Sequence, residues 1–132
     1  MIFSFENRVV VITGGSGSFG KAIAEKLHTQ GASIILLGRS QEKLNESIEA
    51  FTNNGERYAS YACDVTDESS LIKVNQDILK SHKKIDVLIT CAAAPAISGK
   101  LEDTSLDDWH SMLAIDLDGV FLSCKIFGRS MI

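Results

Sequence analysis

Eight residues restrict this chain more than any others. They are Thr13–Gly20, TGGSGSFG, and they follow the β-branched run Arg8–Thr13 (RVVVIT) directly. A short continuous apolar run is what a strand covered on both faces requires. Beyond the glycines, Phe19, Ile23 and Leu27 recur at helical spacing, so the loop joins a strand to a helix. Gly15, Gly17 and Gly20 fit GxGxxG. In that setting glycine serves a sharp turn, close approach of backbone to a pyrophosphate, and tight packing of helix on strand. The helix N-terminus adds free N–H groups and partial positive charge. Two other readings fit the same letters. Gly15–Lys21 matches GxxxxGK, the start of a nucleoside-triphosphate loop, but Ala22 stands where Ser or Thr should ligate Mg²⁺. A ligand-free turn is the other; three glycines would then cost backbone entropy with no packing return.

The rest of the chain repeats the strand–helix alternation. Gly31 stops the first helix, and Ser33–Leu37 (SIILL) is a second strand. Ser40 is an N-cap for a helix with Leu44, Ile48 and Phe51 on one face, ended by Asn53, Asn54 and Gly55. Arg57–Ala62 reads as a third strand. Thr66 is expected to cap the next helix, whose first turn carries Asp67 and Glu68 and whose apolar face is Leu71, Val74 and Ile78. Ile85–Thr90 (IDVLIT) is the fourth strand. After a loop through Pro95 and Gly99, Ser105-x-x-Asp108 is a capping box. It opens a last helix with Trp109, Leu113, Leu117, Val120, Phe121 and Cys124 on one side, the expected buried face. This order predicts an α/β fold, a Rossmann-like doubly wound parallel sheet.

Composition narrows the partners. The 132 residues are 45% hydrophobic with a net charge of −4, which suits one globular domain over 1–132. No Lys/Arg cluster offers a nucleic-acid footprint. The longest apolar stretch, Val87 to Ile97, is broken by Pro95 and falls short of the roughly 18 residues of a membrane span. Met1–Arg8 carries Glu6 and lacks the pattern of a signal peptide. Cys63, Cys91 and Cys124 are odd in number without CxxC spacing, so buried thiols in a reducing cytoplasm are expected rather than disulfides. The histidines are scattered, and no metal site is expected.

The end of the second strand speaks to the nucleotide. An acid about 20 residues past the loop would bind a ribose 2′-hydroxyl. Here that place reads Gly38-Arg39-Ser40, an arginine with no acid, and a guanidinium fork suits a phosphate. The reading is NADP(H), with Arg39 and Ser40 on the 2′-phosphate; an ordinary solvated arginine is the alternative. Asp64 and Val65 follow the third strand at the edge where such sheets bind ligands. Asp64 could accept from an adenine amino group or simply serve its own loop. Asp116 lies at the margin of the last helix's apolar stripe, where partial desolvation would suit it to proton relay.

Together these segments resemble the short-chain dehydrogenase/reductase family. TGGSGSFG at 13–20, GR at 38–39, CDV at 63–65, DVLITCAAA at 86–94 and LEDTSLDDWHSMLAIDLDGVF at 101–121 carry the resemblance. It covers the family's N-terminal, cofactor-binding half. It implies that Gly14, Gly15, Ser16, Gly17, Ser18, Phe19 and Gly20 hold the pyrophosphate and adjoining ribose, Arg39 the 2′-phosphate, and Asp64 and Val65 the adenine. Cys91, Ala92 and Ala93 stand where the family has Asn-Ala-Gly beside the cofactor. Asp116 stands at the catalytic Asn position. Thr90–Ala93 lacks the amide side chains that bond neighbouring strands in the family. Gly17 follows the glycine spacing of the extended branch, whereas the later motifs follow the other. The CAA and IDxxGxF segments are similar to the dienoyl- and enoyl-CoA reductase branch.

The implied activity is hydride transfer between NADP(H) and a carbonyl, alcohol or enoyl small molecule, which needs a proton donor. The family's Tyr-x-x-x-Lys pair is not in this sequence: Tyr58 and Tyr61 are followed at i+4 by Ala62 and Val65. The expectation is therefore the cofactor half of a longer reductase, cut short. The alternative is a non-catalytic dinucleotide-binding or interaction module. An apolar fourth strand left at the sheet edge would favour homo-oligomers.

Overall fold

The four apolar runs form one parallel sheet. The computed structural model describes residues 4–51, 56–97 and 99–132. Strand β1 is Val9–Thr13, β2 Ser33–Gly38, β3 Tyr58–Ala62 and β4 Val87–Thr90. Their order is β3-β2-β1-β4. The chain adds strands on one side of β1 and then crosses to the other, so β4 is an edge with β1 as its neighbour. Helix α1 spans Ser18–Thr29, α2 Gln41–Glu49 and α3 Glu68–His82. The last helical segment is α4 (Leu106–Leu113), a π-helical turn (Ala114–Asp118) and α5 (Gly119–Arg129).

Strand alternation splits the core in two. Val9, Val11, Ile35 and Leu37 face α3 and α5 with Leu71, Val74, Ile78 and Phe127. Val10, Ile12, Ile34 and Leu36 face the other way, with Ala24, Leu44 and Phe51. Every β1 residue is buried, which is why its sequence is apolar without interruption. Phe127 is fully buried, and its truncation to alanine would cost about 3–5 kcal/mol.

Several local expectations need correction. The buried residues of α1 are Gly20, Ala24 and His28 rather than a stripe led by Phe19, which is 81% exposed. Its small-residue face is the one that can approach the loop, since a Cβ at Gly20 would run into the Gly14 carbonyl. The α3 cap is Asp67, not Thr66: Asp67 Oδ1 accepts from Ser69 N at 2.9 Å and Ser70 N at 3.3 Å. The Ser69 hydroxyl and the Ser70 amide hold the Asp67 carboxyl below its usual range. Thr66 bonds back to Asp64 instead. Helix α2 ends at Glu49; the expected stop at Asn53, Asn54 and Gly55 lies outside the described residues. Ser40 and Ser105 cap α2 and α4 as expected, accepting from Lys43 N and Asp108 N.

The largest correction is the face of the last helical segment. Gly119, Ser123, Ile126 and Phe127 are buried, whereas Trp109, Leu117 and Phe121 point outward. Leu113 and Val120 are half-buried, and Cys124 is exposed rather than a buried thiol. The reason is steric. A Cβ at Gly119 would lie 2.7 Å from Val65 Cγ2, so Gly119 is what lets the segment come this close at its start, while Ile126 and Phe127 fill the core further along the same side. The bulky stripe is left to solvent.

A charged knot closes the far end of the sheet. Asp86 receives Arg8 Nη1 at 3.0 Å, Lys84 Nζ at 2.8 Å and the Val9 amide at 2.8 Å. Burial alone would raise its carboxyl, but these donors outweigh burial and hold it at about 2. A depressed carboxyl stabilises the fold above its unfolded pKa and loses that contribution as pH falls towards the folded value. Between about pH 5 and about pH 2 the unfolding free energy should drop by on the order of 1–2 kcal/mol through this group. Urea unfolding across that range should show a flatter pH profile for Asp86→Asn than for the parent.

Candidate functional site

All four strands point their C-terminal ends at one place, the crossover between β1 and β4, where open α/β sheets bind ligands. A cleft of about 450 Å³ opens there. The β1–α1 loop lines it with Gly14, Ser16, Gly17, Ser18, Phe19 and Gly20. Arg39 comes from the end of β2, Asp64 and Val65 from the end of β3, and Cys91, Ala92 and Ala93 from the end of β4.

The loop is held from below. Thr13 is buried, and its Oγ1 accepts from Cys91 N at 3.2 Å and Ala92 N at 3.3 Å. This hydroxyl joins β1 to β4, where the amide side chains of Asn residues are missing. Gly14 then turns with φ +68°, and a Cβ there would lie 2.6 Å from the Cys91 carbonyl and the Ala92 nitrogen. Only glycine fits both the angle and the space. Gly17 opens α1 with no side-chain cap, and no acid lies in the first turn. The amides of Ser18 and Phe19 therefore lack the usual cap, and the dipole there is not neutralised.

Charge is placed asymmetrically around the cleft. Arg39 is exposed and has no hydrogen bond or ion pair among the described residues. Asp64 Oδ1 accepts from Thr66 N at 2.9 Å and Thr66 Oγ1 at 2.7 Å. Asp64 thus serves its own turn, as the second reading expects, and it also borders the cleft. Burial pushes the Cys63 and Cys91 thiols up, so both are neutral at pH 7. Among the described residues no three His, Cys, Asp or Glu side chains are grouped to hold a metal.

Three of the expected site residues stand elsewhere. Gly15 is buried, its amide donates to Leu37 O at 2.9 Å, and Leu36 occupies the space beside it. Ser40 is engaged in the α2 cap and does not line the cleft. Asp116 is exposed, contrary to the partial desolvation expected of it. Its Oδ1 accepts from Ala94 N at 2.8 Å, tying the π-helical turn to the loop after β4. Gly38, Cys63 and Ile115 also line the cleft and were not foreseen. Gly38 and Cys63 could have been found by extending β2 and β3 to one level; Ile115 depends on how the last helical segment packs.

Tyr58 sits away from the cleft. It opens β3 at the opposite end of the sheet, stacked between His28 at 4.3 Å and Phe51 at 4.5 Å. Burial first, and Glu25 second, push its hydroxyl up to about 12.

The model of the family described as short chain dehydrogenase matches residues 8–132. The chain belongs to that family. Short chain dehydrogenases are oxidoreductases that bind nicotinamide dinucleotides and act on small molecules. D-threitol dehydrogenase of Mycolicibacterium smegmatis is 30% identical, over 98% of this chain and 50% of its own length. NAD-dependent glycerol dehydrogenase of Listeria innocua is 32% identical over 98% of this chain and 50% of its own. The crystal structure of NAD⁺-bound xylitol dehydrogenase superposes with a TM-score of 0.91 at 30% identity, covering 98% of this chain and 50% of that one. The chain thus spans about half the length of the short chain dehydrogenases it matches.

The Asp116–Ala94 bond can be read directly. Asp116→Ala should speed hydrogen exchange at the Ala94 amide by about tenfold, the loss expected for one charge-assisted bond. Asp116→Asn keeps an acceptor and should stay near the parent rate.

Proposed function

We propose that this chain is the dinucleotide-binding part of an NADP(H)-dependent oxidoreductase working on a carbonyl, alcohol or enoyl substrate. The observation that carries the cofactor choice is Arg39. It stands exposed on the cleft rim at the end of β2, without a partner among the described residues, and no acid accompanies it there. A guanidinium in that position is suited to the 2′-phosphate. Two of the relatives above carry NAD in their names; the NADP reading rests on this chain's own Arg39.

The other residues fit the same ligand. The amides at the start of α1 would face the pyrophosphate, and Gly14 keeps the backbone there low enough to allow close approach. Asp64 and Val65 would border the adenine, and Cys91, Ala92 and Ala93 would floor the far end of the cleft. The dinucleotide would supply or accept hydride. Asp116 touches the loop after β4 rather than the cleft, so its role is positioning: it holds Ala94 and the wall that follows.

An exposed apolar stripe at Leu117 and Phe121 on the last helical segment supports self-association.

Two measurements test these statements. Titration followed by nucleotide fluorescence should show tighter NADPH than NADH binding, and Arg39→Asp should weaken NADPH by about tenfold to a hundredfold and reverse the preference. Sedimentation velocity should show oligomers that Phe121→Glu disperses; a dilution-stable monomer of the parent chain would contradict self-association.

A further inference from the structure

Strand β3 is an outer strand of the sheet, with β2 as its neighbour among the described residues. Every second residue of such a strand turns its N–H and C=O away from the sheet. The Cys63 amide, just past the strand, turns inward and donates to Gly38 O at 2.7 Å. The Ala62 amide, one residue earlier, faces the open edge. It is not left unpaired there, because Gln41 Oε1 accepts from it at 3.0 Å. Gln41 is the first residue of α2, so its side chain bridges that helix and the strand edge.

The rest of the Gln41 amide is in use as well. Nε2 donates to Ser60 Oγ at 2.8 Å and to Asn45 Oδ1 at 2.9 Å. Ser60 Oγ closes the ring by donating to Asn45 Oδ1 at 3.3 Å. A backbone amide can only donate, so Ala62 fixes which end of the Gln41 side chain faces it. Glutamate would lack the two donors, and asparagine is shorter by a methylene.

Gln41 does not line the cleft, but Arg39, two residues before it, does. So does Asp64, two residues after Ala62. The bridge therefore ties together the two strand ends that carry these rim residues. Arg39 has no hydrogen bond or ion pair among the described residues, so no neighbour aims its guanidinium. Its direction is set by where its backbone leaves β2. That backbone is held on one side by the Cys63–Gly38 bond, and on the other by the start of α2, where Ser40 caps and Gln41 anchors. Asp64 is braced separately, by Thr66.

We propose that Gln41 is a positioning residue for Arg39: by locking the first turn of α2 onto the edge of β3, it holds the arginine where it can bond a phosphate monoester at the cleft rim. This rests on the reading of Arg39 as the partner of the 2′-phosphate. It adds that the choice between dinucleotides is shared with a residue that touches neither of them. A group fixed before binding gives more affinity than one the ligand must order.

The test is a double-mutant cycle on this chain with NADPH and NADH, followed by nucleotide fluorescence. Gln41→Ala should weaken NADPH by about threefold to tenfold and NADH by less than about twofold, the first being what an ordinary hydrogen bond is worth. With Arg39→Ala already in place, Gln41→Ala should have no further effect on either nucleotide, because residues acting through one another are not additive. Ser60→Ala leaves the Ala62–Gln41 bond standing and should act in the same direction but less. Hydrogen exchange at the Ala62 amide should quicken in Gln41→Ala, which reads release of the bridge without any nucleotide. The proposal is overturned if Gln41→Ala weakens NADPH and NADH alike, which is general loosening. It is equally overturned if NADPH binding stays at the parent level, which leaves the amide as a seal on the strand edge, or if the effect is the same with and without Arg39. A parent chain that binds NADPH no better than NADH, with Arg39→Ala changing nothing, marks instead the failure of the Arg39 reading, and this proposal falls with it.

Discussion

The contact between β1's last residue and the start of the loop after β4 organises the rest of the molecule. Thr13 is buried and its hydroxyl takes two amides from Cys91 and Ala92. Directly after it, Gly14 turns in the left-handed region with no room for a side chain. A residue other than glycine would meet a penalty of roughly 1–2 kcal/mol for the angle alone, before any clash. Because β1 and β4 are neighbours across the crossover, this one junction sets the height of the α1 N-terminus above the sheet. It also sets the floor of the cleft. An exposed helix start and a low floor are what a pyrophosphate needs.

The same logic of close approach recurs at the other end of the cleft. Gly119 lets α5 settle on Val65, which lines the cleft through its exposed edge. That packing turns the side with Gly119, Ser123, Ile126 and Phe127 inward and leaves Leu117 and Phe121 outside. It also brings Ile115 to the cleft. Asp116, one residue later, reaches back to the Ala94 amide and ties the turn to the loop after β4. The π-helical turn is therefore where the last helical segment meets the cleft. Extra turns of this kind inside α-helices are frequent at functional positions.

Much of this was legible in the sequence. The uninterrupted apolar runs of β1 and β2 mark the buried centre of a parallel sheet, the flanking β3 and β4 are largely half-buried, and all four strands were placed to within two residues. The glycine loop, Arg39, Asp64, Val65 and Cys91–Ala93 were also legible, because each follows the end of a strand in a sheet whose strand ends converge. What failed had a common cause. Phe19, the last helix's stripe and Asp116 were assigned by helical periodicity, which identifies an apolar face but cannot say that a smaller face packs closer. Thr66 was preferred over Asp67 for a cap because both residue types serve, and only the turn built by Asp64 decides between them.

The sequence by itself thus determined the fold, the family and the residues that gather at the strand ends, since period and glycine spacing are local properties of the chain. The tertiary structure decided which side of each helix is buried, and that Gly15 and Ser40 serve the scaffold rather than the cleft. Those outcomes depend on how near two elements can approach, and that distance is set by pairs such as Gly119 with Val65 and Gly14 with Ala92, remote from one another in the chain.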